Sequence, residues 1–292
     1  MKRKGTRAGA PWVIKIGGRE LEAGPDLEVL SNWLARLRRE ENVPLVVVHG
    51  GGDEISRWAS RLGIPTEKVD GQRRTTPELL TVVEAVLTGP VQQRLLSSLE
   101  RSGLHPLGTT GTSGPLVEAR VAFDGRLGRV GEPSRVNAEW LETWLSQGLT
   151  PVLAPLARAP DGGTLNVNAD LFAGAVAGAL RSPLLLLTDV PGVQDASGRY
   201  RVSLDETQAR GLLTVGAARE GMIPKLNAAL SALSQGTPWV AIGQAGAAPS
   251  EPFLGTGLPG PVPSTLRGTR PAVRPAPAPV LFSRSTDGNG GG

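Results

Sequence analysis

No cysteine occurs anywhere in the chain, which excludes disulfides, cysteine metal sites and thiol nucleophiles together. Histidine is nearly as scarce, and its two residues are too few for a multi-histidine metal centre. Aromatic residues make up 4% of the sequence and basic residues are scattered apart from Lys2–Arg7, so a nucleic-acid stacking surface is unsupported. No apolar run is long enough to span a bilayer, and the basic start lacks the apolar segment of a secretory signal. No G-x-x-x-x-G-K-[ST] loop and no D-F-G or H-R-D motif is present, which removes P-loop and protein-kinase schemes. The expectation is a cytoplasmic protein with neither a membrane nor a nucleic-acid partner.

What remains suits a large α/β core. The 292 residues are 39% hydrophobic and 20% charged, enough for one large unit or two lobes. A net charge of +4 fits an anionic small substrate. Much of the glycine and proline lies near the C-terminus, and Pro271–Gly292 reads as a tail ending in G-N-G-G-G. Met1–Ala10, basic and rich in small residues, reads as disordered.

Between these ends, strand and helix patterns alternate. Val13–Gly18 reads V-I-K-I-G-G, a buried first strand with one lysine and a glycine pair at its end. Leu27–Arg39 has helical spacing, and Pro44–His49 is an apolar run of the kind buried on both faces of a parallel sheet. Asp53–Leu62 reads as a helix. Thr76 is placed to cap a helix that begins at Pro77 and runs to about Arg101. Short strands are expected at Ala122–Val130 and Val152–Pro155, around a helix at Ala138–Gln147. Asp170–Leu180 is a small-residue helix, Leu184–Leu187 an apolar strand, Ile223–Leu233 a helix and Trp239–Ile242 a strand. This alternation predicts βαβ units: an α/β fold with a mostly parallel open sheet sandwiched between helices, in two lobes.

Five segments carry chemistry. Gly50–Gly52 follow a buried strand and offer unobstructed N–H groups to developing negative charge, or make a tight turn. His49 precedes them at the strand end, a position more often structural than catalytic. Gly71–Thr75 reads G-Q-R-R-T, where Arg73 or Arg74 could grip a carboxylate or lie solvated on the surface. Leu165–Asp170 reads L-N-V-N-A-D; Asp170 could cap its helix, and Asn166 and Asn168 could orient a polar substrate. Thr188–Val193 follows an apolar strand, where open α/β sheets place nucleotides. Gly221–Lys225 reads G-M-I-P-K, and Pro224 at a helix start puts Lys225 at a positive helix end. That charge is surplus unless an anion sits beside it.

Taken in order, K-I-G-G at Lys15, V-V-H-G-G-G at Val47, G-x-R-x-T at Gly71, N-V-N-A-D at Asn166, L-T-D-V-P-G-V at Leu187 and G-M-I-P-K at Gly221 resemble the amino acid kinase family. The resemblance covers about Val13 to Val273, taking G-T-R at Gly268 as similar to that family's last strand. It departs at Gly108–Gly114, where G-T-T-G-T-S-G lacks the family's acid, and at Glu220, where a glycine is usual. It implies ATP-dependent phosphorylation of the side-chain carboxylate of N-acetyl-L-glutamate to an acyl phosphate, the second step of arginine biosynthesis. Lys15, Lys225 and Asp170 would be the catalytic groups. Gly51, Gly52, Arg73 and Asn166 would hold the acid. Gly17 and Gly18, Asp189, Val190, Pro191, Gly192, Val193 and Gln194, with Ala217, Ala218 and Arg219, would hold ATP. Mg²⁺ would arrive with the nucleotide, with no protein metal site of its own.

The implied division puts a substrate-binding and dimerisation lobe at 11–182, a nucleotide-binding lobe at 183–273 and the tail at 274–292. Met1–Ala10 shows no amphipathic pattern, so the implied assembly is an arginine-insensitive homodimer. The alternatives are a kinase for aminoadipate or glutamate linked to a carrier protein in lysine biosynthesis, and a non-catalytic regulatory homologue that binds amino acids.

Overall fold

The computed structural model describes residues 10–69, 72–188, 192–195, 197–201, 203–214, 216, 222–244 and 280–283. The chain opens with β1 (Trp12–Ile16), α1 (Pro25–Glu40), β2 (Leu45–His49) and α2 (Gly52–Arg61). A small hairpin follows, β3 (Lys68–Val69) and β4 (Gln72–Arg73), then α3 (Pro77–Val86), α4 (Gln92–Arg101) and β5 (Pro106–Thr110). Next come β6 (Val117–Val121), β7 (Val130–Val136), α5 (Ala138–Ser146), β8 (Thr150–Ala154), β9 (Leu156–Arg158) and β10 (Thr164–Val167). The rest is α6 (Ala169–Leu180), β11 (Leu184–Thr188), β12 (Ser203–Asp205), α7 (Glu206–Thr214), α8 (Ile223–Gln235), β13 (Trp239–Gln244) and β14 (Val280–Ser283).

Eight strands form one sheet in the order β12-β14-β13-β11-β1-β2-β8-β5. From β13 to β5 every pairing is parallel, while β14 runs antiparallel to β13. The β1–β11 pairing joins strands from both expected lobes, with Val13 opposite Leu184 and Lys15 opposite Leu186. Alternation along each strand feeds two separate cores. Val13, Val46, Val48, Leu184 and Leu186 pack with α6 and α8, whereas Ile14, Ile16, Val47 and Leu185 pack with α1, α3 and α4. A closed four-stranded barrel, β10-β7-β6-β9, stands apart from the sheet.

The structure corrects three of the expectations. The helix capped by Thr76, whose Oγ1 accepts from the Leu79 N–H at 3.2 Å, does not run unbroken to Arg101. It breaks at Gly89 (φ −93°, ψ −110°), where Pro90 supplies no N–H and crowds the preceding turn. The segment Ala122–Val130 is not a strand but the turn between β6 and β7, with a single tight turn at Phe123–Gly125. Beside the expected sheet, the strands between Val117 and Val167 close on one another as a separate barrel. Finally, Val280–Ser283, assigned to the tail, forms β14 between β12 and β13. Its apolar run, V-L-F, is short and flanked by residues of low complexity. Gly268, taken as the site of the last strand, lies outside the described residues.

The small residues of α6 have a definite use. A Cβ on Gly174 would stand 3.0 Å from the Ala228 carbonyl oxygen, and one on Gly178 would stand 2.6 Å from the Gln235 Cβ. The two glycines, four residues apart on one helix face, let α8 lie close alongside α6. The helices run parallel, so their N-termini meet at the end of the sheet where β1 and β11 finish. Gly174→Leu should therefore cost roughly 1–3 kcal/mol through overpacking, seen as a Tm lower by several degrees in thermal unfolding. Gly211→Ala, at a helical position with nothing within 4 Å of the added methyl, should leave Tm equal or slightly raised. Equal Tm values for wild type and Gly174→Leu would refute the close-packing account.

Candidate active site

Strand β1 is where the order of the sheet reverses: the chain passes first to β2 on one side and later, through α6, to β11 on the other. Open α/β sheets bind ligands outside the strand C-termini at such a point. The groups gathered there come from β1, α2, β4, β10, α6 and α8.

Lys15 points to the α6 and α8 face, the same face as Val13. Its Nζ lies 2.9 Å from Asp170 Oδ1, with side-chain exposures of 9% and 6%. The Lys225 Nζ lies 3.3 Å from the other oxygen, Oδ2. Burial alone would raise the Asp170 pKa, but the two ammonium groups, Lys15 foremost, outweigh it and hold the carboxyl below its ordinary value. Asp170 is thus an anion between two cations. The N-termini of α6 and α8 add to that field. Gly17 leaves space beside it: a Cβ there would stand 2.5 Å from Lys15 Nζ and push the ammonium aside.

Asp170 does not cap its helix, contrary to one reading of the sequence. Asn168 does so, its Oδ1 accepting from the N–H groups of Asp170 at 2.9 Å and Leu171 at 3.2 Å. A carboxylate occupied with capping would be less free to hold two lysines. The cap therefore releases Asp170 for the ion pairs.

The second half of the site is a hydrogen-bonded bracket. Arg73 is buried, and its Nη2 donates to the Gly52 carbonyl at 2.8 Å and to Ser56 Oγ at 2.9 Å. Its Nη1 is buried with no hydrogen-bond partner among the described residues. Burial lowers the Arg73 pKa, with nearby Asp53 opposing, yet an arginine so placed stays cationic. Arg74 is different: it is exposed and pairs with Glu67 at 3.2 Å, so it belongs to the surface. Asn166 Nδ2 donates to Thr75 Oγ1 at 3.0 Å, joining the G-x-R-x-T and N-V-N-A-D segments directly. Gly51 and Gly52 open onto a cleft of about 150 Å³ that Leu21, Val91, Arg57 and Arg94 also line. Both of those arginines are committed to Glu54.

His49 is fully buried, and its Nδ1 stands 2.9 Å from the Gly50 carbonyl oxygen. A carbonyl can only accept, so Nδ1 carries the proton of a neutral ring. Burial lowers the pKa to about 4 against a weaker opposing effect of the Gly50 bond.

The structure thus brings together Lys15, Asp170 and Lys225 as one cluster, and Gly52, Arg73 and Asn166 as a second group. Gly192 and Val193 are buried, and Gln194 pairs with Tyr200 across a tight hairpin. Asp189, Val190, Pro191, Ala217, Ala218 and Arg219, with Gly71, Glu220 and Gly221, lie outside the described residues. Sequence reasoning overlooked Ser56 and Thr75. Thr75 stood inside a motif already singled out, whereas nothing marked Ser56 before its contact with Arg73 was visible.

A mostly parallel sheet with two lysines bracketing a buried carboxylate at its switch point is the layout of an α/β enzyme. The model of the amino acid kinase family matches residues 10–243. An acetylglutamate kinase of Geobacillus kaustophilus (strain HTA426) is 41% identical over 237 residues, 80% of this chain and 90% of that protein. A crystal structure from Streptococcus mutans UA159 superposes with a TM-score of 0.73 at 30% identity, covering 80% of this chain and 94% of that one. A carbamate kinase from Giardia lamblia bound to AMP-PNP shares the fold, with a TM-score of 0.63 at 15% identity over 82% of this chain and 94% of that one. The chain belongs to the amino acid kinase family, and it is a kinase.

His49 generates a prediction about stability. Its folded-state pKa of about 4 lies below the ordinary 6.5, so its contribution is complete above about pH 6.5 and is lost as pH falls toward 4. The full loss is about 3 kcal/mol. His49→Gln should flatten the stability-against-pH curve in that window relative to wild type, measured by denaturant unfolding at each pH. Identical slopes for the two proteins would refute the buried neutral imidazole.

Proposed function

We propose that this chain transfers the γ-phosphoryl group of ATP to the side-chain carboxylate of N-acetyl-L-glutamate, a carboxyl-accepting phosphotransfer on the route to arginine. The observation that carries this reading is the buried Lys15–Asp170–Lys225 cluster, in which one carboxylate holds two ammonium groups in place at the end of β1. Acetylglutamate kinases are among the relatives of high identity, and the residue inventory fits the chemistry.

A carboxylate nucleophile is ionised at pH 7 and needs no general base. One of its oxygens bonds to the γ-phosphorus while the bond from that phosphorus to the bridging oxygen breaks, releasing ADP. The demand on the protein is alignment and charge neutralisation. Lys15 and Lys225 supply two fixed cations around the moving phosphoryl group. Asp170 keeps the two ammonium groups from drifting apart and holds their positions before substrate arrives. The N–H groups at Gly17, Gly18, Gly51 and Gly52 give further donors without side-chain obstruction. Arg73 takes the α-carboxylate on its unpaired Nη1, and Asn166 takes the acetamido end.

ATP is the phosphoryl donor, and the segments 189–194 and 217–219 receive it in a nucleotide-binding lobe at 183–273. Mg²⁺ accompanies the nucleotide, and we assign it no protein ligand. Among the described residues no helix is long and apolar enough to cross a membrane. We read the enzyme as a cytoplasmic homodimer.

Hydroxylamine trapping tests the reaction directly. N-acetylglutamate with ATP should give an ATP-dependent hydroxamate, and Lys15→Ala or Lys225→Ala should each lower kcat by about 10²–10³ with little change in the KM for the acid. Hydroxamate formed only from a carrier-linked acid, or near-normal kcat in both variants, would overturn the reading.

Arg73 should behave differently, because the α-carboxylate is remote from the reacting one. Arg73→Ala is expected to raise the KM for N-acetylglutamate by about 30- to 1,000-fold, the loss of a charge-assisted contact worth roughly 2–4 kcal/mol. Steady-state kinetics should show kcat changing far less. A fall confined to kcat would place Arg73 on the transferring group instead.

A further inference from the structure

Thr75 is wholly buried, and nothing in the proposed reaction uses it. Its hydroxyl nevertheless joins the two halves of the acid-binding bracket. Thr75 Oγ1 donates to the Arg73 carbonyl at 2.8 Å and accepts from Asn166 Nδ2 at 3.0 Å. Its backbone is clamped as well: the Thr75 N–H donates to Leu127 O at 2.9 Å, and Thr75 O accepts from the Arg129 N–H at 2.7 Å. The hydroxyl therefore has no freedom to move away from either partner.

A hydroxyl has one proton, and a carbonyl oxygen can only accept. With that proton given to Arg73 O, Thr75 Oγ1 offers Asn166 nothing but lone pairs. The Asn166 amide must then turn its NH₂ toward Thr75, since the flipped amide would set two acceptors against each other. Asn166 Oδ1 is left facing away from Thr75, on a side chain that keeps partial exposure, and it accepts no hydrogen bond among the described residues.

We infer that Thr75 is a positioning residue that fixes the Asn166 amide with its oxygen toward the substrate, so that the site selects acids bearing an N–H at the amide position. This rests on the proposed reading, in which Asn166 meets the acetamido end of N-acetylglutamate. An acid with an ester oxygen in place of the N–H would set a lone pair against Asn166 Oδ1. A site built to pair with a substrate N–H discriminates strongly against the analogue without it.

The test compares kcat/KM for N-acetylglutamate with that for its ester isostere, in which the amide N–H is replaced by oxygen. Wild type should prefer the amide by about tenfold or more. Thr75→Val, which keeps the shape and removes the hydroxyl, should shrink that preference to less than about threefold. It should also raise the KM for the acid about tenfold, leaving kcat and the KM for ATP within about twofold. Thr75→Ser should keep the wild-type preference.

A folded Thr75→Val that retains the full preference overturns the inference, as does a Thr75→Ser that loses it. Should Thr75→Val not fold, the wild-type preference decides: below about threefold it overturns the inference, and above about tenfold it supports it. Wild type that turns over both compounds equally refutes only the role of Thr75 and Asn166. Wild type that turns over neither refutes the proposed function, and the inference with it.

Discussion

A buried carboxylate held between two lysines is the constraint on which the rest of the structure depends. Asp170 lies in the interior, where an unpaired charge is costly, and each lysine would be equally costly there alone. The three are tolerable only together, which requires β1, α6 and α8 to deliver one charge each to the same place. The arrangement that permits burial also fixes two ammonium groups at the end of β1.

Delivering the charges demands close packing of the backbone. Gly174 and Gly178 thin one face of α6 so that α8 can lie against it with both N-termini level. Gly17 makes room for the Lys15 ammonium at the strand end. Asn168 takes over the capping of α6 and leaves Asp170 its oxygens. Each of these residues acts by what it leaves free: a helix face, a loop volume, a carboxylate.

The second half of the site relies on hydrogen bonds between neutral groups and one arginine. Arg73 is pinned by Gly52 and Ser56 on one nitrogen, and its other nitrogen has no hydrogen-bond partner among the described residues. Thr75 ties the same loop to Asn166. The α2 N-terminus, the β4 loop and the β10 strand thereby become one rigid bracket, although more than ninety residues separate Thr75 from Asn166 in the chain.

The sequence by itself determined the elements whose signal is local. The apolar runs of β1, β2 and β11 are legible because strands buried on both faces leave no polar alternation. Lys15 is legible because a lone cation in such a run needs a partner, and Lys225 because Pro224 marks a helix start. The ordered motifs were enough to indicate the family and the chemistry. Tertiary structure alone decided what depends on neighbours distant in sequence. It broke the helix after Val86, closed the barrel, and drew Val280–Ser283 into the sheet beside β13. It buried Arg73 and left Arg74 in solvent, though the two are adjacent and chemically identical. It gave the cap to Asn168 rather than Asp170, and it made Thr75 the link between two motifs. The physical reason is the same in each case: burial, strand pairing and hydrogen-bond partnership are properties of what surrounds a residue, and only the folded chain brings those surroundings into being.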